Sequence, residues 1–162
     1  DVLEWARFNG CPWDEVTCYK AATGGHVDVL QRLRAQVFPW HSRTGGIAAR
    51  SGNFEVLQWA QRNGCPWAGL TSSEASAAGY LDILQWMRAQ GCPWDSKPEF
   101  QQRRKGTCGS AASTNRLYIL QWARAQGCPW NYNTYTEAEE WGNKYVMEWA
   151  KINGCPVFDT DY

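Results

Sequence analysis

The chain is poor in the groups from which most catalytic and metal sites are built. Its 162 residues include only two histidines, His26 and His41, so a general base has few candidates. None of the seven cysteines pairs as Cys-x-x-Cys, which removes the common zinc spacing. A glycine-rich phosphate loop following a strand is absent, and so is the apolar–polar alternation of half-buried strands. No apolar run approaches membrane-spanning length, which argues against membrane insertion. Sixteen Lys and Arg balance sixteen Asp and Glu, so no global charge favours nucleic acid or an anionic surface.

Repetition is what the chain has in abundance. The decapeptides EWARFNGCPW, QWAQRNGCPW, QWMRAQGCPW, QWARAQGCPW and EWAKINGCPV are variants of one string. Pro12, Pro39, Pro66, Pro93, Pro129 and Pro156 are 27, 27, 27, 36 and 27 residues apart. Thr17, Thr44, Thr71 and Thr134 each follow a proline by five residues, and Thr107 joins them once a nine-residue insertion is allowed. A small pair follows (Ala21-Ala22, Ala48-Ala49, Ala75-Ser76, Ala111-Ala112), then Gly25, Gly52, Gly79, Asn115 or Gly142. The units read as 12–38, 39–65, 66–92, 93–128 and 129–155, flanked by partial units 1–11 and 156–162 in a single array. Both ends fall inside a unit, so the expectation is a piece of a longer array.

Each unit reads as two short helices. The first begins at the threonine, a residue able to cap or open a helix. In the second, Leu81, Ile83, Leu84 and Met87 keep helical spacing, and the helix stops at Gly64, Gly91, Gly127 or Gly154. Proline two residues later prevents continuation. A unit this short cannot bury a core alone, so neighbouring units must stack. Ten of the eleven tryptophans recur in two slots and are expected to be inter-repeat core, each able to bury roughly 150–250 Å².

These residues resemble the ankyrin repeat. AATGGHVDVLQRLRAQ matches its two alanines, Gly-His pair and aliphatic second helix, with His26 in the histidine slot; Asn53, Tyr80, Arg116 and Asn143 depart from it. The closer resemblance is to short Cys-Pro-Trp-bearing ankyrin-like repeats. The unit is 27 residues against roughly 33 in ankyrin, and the deficit falls where ankyrins project a β-hairpin finger. The fold implied is an all-α solenoid of stacked helix-turn-helix repeats. The fourth unit alone carries extra residues in the finger position, Ser96 to Gly106.

Five cysteines, Cys11, Cys65, Cys92, Cys128 and Cys155, share the slot before proline. Stacking separates equivalent slots by roughly 8–10 Å, beyond disulfide reach. They are expected to be small buried apolar residues, implying a reducing, intracellular compartment. No metal site and no cofactor is expected.

The resemblance implies binding of another protein through a concave face built from the first helices and the residues leading into them. It places Glu15, Thr23, Ser42, Arg50, Ser51, Tyr132, Glu140 and Trp141 there. Trp141 is the tryptophan out of register, beside Glu137, Glu139 and Glu140. The insertion adds Lys97, Arg103, Arg104 and Lys105, an excess of three positive charges over Glu99, suited to an acidic protein segment or to phosphate. The expected function is a non-catalytic interaction scaffold, adaptor or docking subunit of a larger assembly. Nucleic-acid contact through the insertion is one alternative; a Cys/His hydrolase, which requires a reactive low-pKa thiol, is another. The second unit boundary is irregular, with Arg32 in a tryptophan slot and Val37-Phe38 in place of Gly-Cys. Gly45 and Gly46 then make the following helix the expected soft point, each costing about 1 kcal/mol relative to alanine.

Overall fold

The computed structural model describes residues 10, 15–36, 39–41, 43–67, 70–94 and 105–157. The described residues form ten helices and no strand, an all-α fold. None of these helices is long and apolar enough to cross a membrane. Two compact units divide the chain, residues 1–68 and 69–162. The first holds α1 (Glu15–Gly24), α2 (Val27–Ala35), α3 (Thr44–Arg50) and α4 (Phe54–Arg62). The second holds α5 (Thr71–Ala78), α6 (Leu81–Ala89), α7 (Gly106–Ser113), α8 (Leu117–Ala125), α9 (Tyr132–Glu140) and α10 (Lys144–Ile152).

Glycine ends both helices of a repeat, and for one reason. Gly52, Gly79 and Gly142 adopt positive φ, as do Gly64, Gly91, Gly127 and Gly154. The following amide then reaches back five residues: Asn53 N–H to Ala48 O (2.9 Å) and Asn143 N–H to Ala138 O (2.8 Å) after first helices. After second helices, Cys65 N–H bonds Ala60 O and Cys128 N–H bonds Ala123 O, both at 2.9 Å. This left-handed ending satisfies carbonyls that the helix leaves open. Asn115, at φ 57°, is the one described non-glycine residue that takes this geometry, in keeping with the tolerance of asparagine for it.

In the first unit α1 packs on α3, and in the second α7 packs on both α5 and α9. Small side chains permit this closeness. Every residue from Thr44 to Ala49 and from Thr107 to Ala112 is buried. Gly45 and Gly46, the expected soft point, are buried within α3. The second helices stand farther apart and supply the larger apolar groups: Leu30 and Leu33, Val56 and Leu57, Ile83, Leu84 and Met87, Ile119 and Leu120. Full burial of one such side chain stabilises by about 1.5–3 kcal/mol.

Thr44 and Thr71 open α3 and α5 as expected, and Thr107 and Thr134 sit within the first turns of α7 and α9; all four are buried, and the preceding cap positions are Arg43, Leu70, Lys105 and Asn131. Among the described N-caps, only that of α9 accepts in the usual way, Asn131 Oδ1 taking a hydrogen bond from Asn133 N–H at 3.0 Å. The described in-register tryptophans are half-buried rather than core. An indole is too large for the space between closely set helices, so it fills the wider gap between successive second helices. Trp40 meets Trp59 edge to face at 5.7 Å between centroids, Trp94 meets Trp122 at 5.9 Å, and Trp130 meets Trp149 at 5.9 Å. The preceding second helix covers three of the turn indoles with an arginine. The guanidinium carbons of Arg34, Arg88 and Arg124 lie 4.9, 4.3 and 4.2 Å from the centroids of Trp40, Trp94 and Trp130. Phe38, expected to fill space beside Arg32, lies outside the described residues.

Candidate functional site

The first-helix ends carry a hydrogen-bond device that the sequence did not announce. Asn53 donates its side-chain amide to the carbonyls of Ala22 and Thr23, both at 2.8 Å. Asn143 does the same to Ala112 (2.7 Å) and Ser113 (3.2 Å). Each asparagine thereby satisfies open carbonyls of the previous repeat's first helix. Where Arg116 occupies the slot, Tyr118 takes over, its hydroxyl donating to Gly79 O at 2.8 Å. The departures from the Gly-His pattern therefore hold repeats together. Recurrence of Asn at 53 and 143 was the available signal, as was the recurring Arg six residues before Trp at 34/40, 88/94 and 124/130.

Of the expected binding residues, the structure brings Lys105 and Trp141 together. Lys105 sits at the N-cap of α7 and Trp141 at the C-cap of α9. The Lys105 ammonium lies 5.6 Å from the Trp141 ring centroid and 2.6 Å from Glu137 Oε2. Gly109 keeps this corner tight: a methyl group there would stand 3.3 Å from Lys105 Cβ and 4.0 Å from Glu137 Cγ. Trp141 is 62% exposed, so its indole covers the lysine stem from one side while its other face meets solvent. Lys105 is thus engaged with Glu137 and Trp141 within the chain.

Thr23 is exposed, and its hydroxyl bonds Tyr19 O at 2.9 Å. Arg50 and Glu140 are exposed, whereas Ser51 and Tyr132 are half-buried. Ser42, Lys97, Arg103 and Arg104 lie outside the described residues, as does the side chain of Glu15.

Both histidines have local partners. His26 precedes α2, its ring beside Gly24, where a methyl group would come within 2.6 Å of it. His41 Nδ1 accepts from Arg43 N–H at 3.1 Å, and its ring stands edge-on to Tyr19 at 6.1 Å. Among the described residues no three His, Cys, Asp or Glu side chains gather as a metal site. The six described cysteines are buried. Burial pushes the Cys65 and Cys155 thiols up to about 11, so both are protonated at neutral pH.

One cysteine pair departs from the expectation of isolated thiols. Stacking keeps equivalent slots apart, but the close approach is between different slots: Cys108 Sγ lies 3.2 Å from Cys128 Sγ.

No protein-family model matches the chain, and no curated protein matches it.

Proposed function

We propose that the chain is a solenoid of ankyrin-like repeats serving as a non-catalytic protein-binding scaffold, adaptor or docking subunit in a reducing, intracellular compartment. One observation carries this reading. Trp141, in a slot that holds Gly24, Ser51, Ala78 and Thr114 elsewhere, is 62% exposed, while Thr134 and Ala138 of α9 are buried. A tryptophan backed by Lys105 and Glu137 has the area and polar rim of an interface anchor. Exposed Tyr118 and Tyr145, in equivalent slots of successive repeats, add aromatic surface in the same unit. The partner is a protein segment that covers the indole, and the 96–106 insertion is the second contact region.

Affinity capture from source extract tests this with the native chain, Trp141→Ala and a version lacking Ser96 to Gly106. The expected result is a partner held by the native chain and released by the tryptophan change. Identical capture by all three would overturn the reading. Binding that collapses steeply with salt and disappears on nuclease treatment would favour nucleic acid instead.

A further inference from the structure

After Thr44, Thr71, Thr107 and Thr134, the next residue stands near the residue before the following proline. Ser72 Oγ lies 3.4 Å from Cys92 Sγ. Gly45 holds the matching slot beside Cys65, and Tyr135 the one beside Cys155. The same slots in the fourth repeat hold Cys108 and Cys128, with Sγ–Sγ 3.2 Å. The repeat framework imposes this contact, and among the described residues only the fourth repeat fills both slots with sulfur. Both side chains are buried, 2% and 1% exposed.

We propose that Cys108 and Cys128 form an oxidation site at which hydrogen peroxide produces an internal, reversible disulfide. One thiol, as its thiolate, attacks the peroxide; the O–O bond breaks, hydroxide leaves and takes up the released proton as water, and a sulfenic acid forms. The second thiol attacks the sulfenic sulfur; the S–S bond forms, the S–O bond breaks, and a second water leaves. Two electrons pass from the sulfur pair to the peroxide. The sulfurs need to close by about 1 Å to reach bonding distance.

Contact decides the product. A sulfenic acid formed at either position already touches its resolving thiol, so the disulfide outruns further oxidation to sulfinic acid. Burial sets the rate, because peroxide enters only on local opening. Cys65 and Cys155 share the burial, but their thiols donate to the backbone oxygens of Pro66 and Asn131. The new bond ties α7 to the turn after α8 across 20 residues of chain, clamping this helix pair and raising its melting temperature.

The test treats the native chain with excess hydrogen peroxide, removes the oxidant, denatures, alkylates the remaining thiols and maps peptides by mass. The expected product has lost two hydrogens, joins the peptides of Cys108 and Cys128, reverts with a thiol reductant, and melts at higher temperature. Cys108→Ser, which introduces the residue type the preceding repeat carries at position 72, abolishes the cross-link, whereas Cys65→Ala leaves it intact. The cross-link is read on the native chain itself, so misfolding of a variant does not obscure it. Full alkylation of both cysteines, sulfinic acid without a cross-link, or a cross-link through other cysteines would each overturn the proposal.

Discussion

The side-chain amide of Asn143 lies 2.7 Å from the carbonyl oxygen of Ala112, one repeat earlier. The contact crosses 31 residues of sequence and ends on the last turn of α7. Asn53 makes the matching contact to Ala22. Replacing either asparagine by alanine leaves two carbonyls without their protein partner. Each change is expected to lower stability by about 1–2 kcal/mol, read from urea unfolding with unchanged slope. An unshifted midpoint in both variants would show that water replaces the amide without loss.

The Trp94–Trp122 pair is expected to be worth more than its separate contacts. A double-mutant cycle with leucine at each position should return a coupling of about 0.5–1.5 kcal/mol. The same cycle at Trp130 and Trp149 should agree with it, because centroid distance and tilt are nearly the same. Additive losses would mean that the indoles merely fill space.

Thr44 has a buried hydroxyl with no hydrogen-bond partner. Valine has nearly the same shape without the polar atom. Thr44→Val should therefore raise stability by about 1 kcal/mol, measured as a higher urea midpoint. A marked loss would reveal a partner for the hydroxyl, such as a bound water.

The thiols of Cys65 and Cys155 stay protonated to about 11, against an ordinary value of 9.0. A folded-state value above the unfolded one means that the unfolded chain releases the proton first. Their stabilising contribution is complete below pH 9 and declines as pH rises from 9 through 11. Thermal melts from pH 8 to 11 should fall, and Cys65→Ala with Cys155→Ala should flatten that fall. Equal slopes would assign the alkaline loss to other groups.

The helical reading, the left-handed endings and the small first-helix pair were legible because each is a local demand repeated along the chain. The glycine at 64, 91, 127 or 154 needs only its own φ, and the alanine pair needs only to be small. The tryptophans were legible as repeated packing residues but not as half-buried ones, since identity does not tell how wide a gap the neighbouring helices leave. The contacts of Lys105 were hidden because Glu137 and Trp141 lie more than thirty residues away in sequence. The aromatic pairs, the asparagine clasp and the cysteine contact were hidden for the same reason: each joins different slots.

Sequence alone determined where helices start and stop and which positions must be small or apolar, because backbone sterics and hydrophobic periodicity act over a few residues. Tertiary structure decided which slots meet: Asn143 with Ala112, Trp94 with Trp122, Lys105 with Trp141 and Cys108 with Cys128. Those meetings depend on the distance and rotation between packed helices, quantities set by all the side chains between them together.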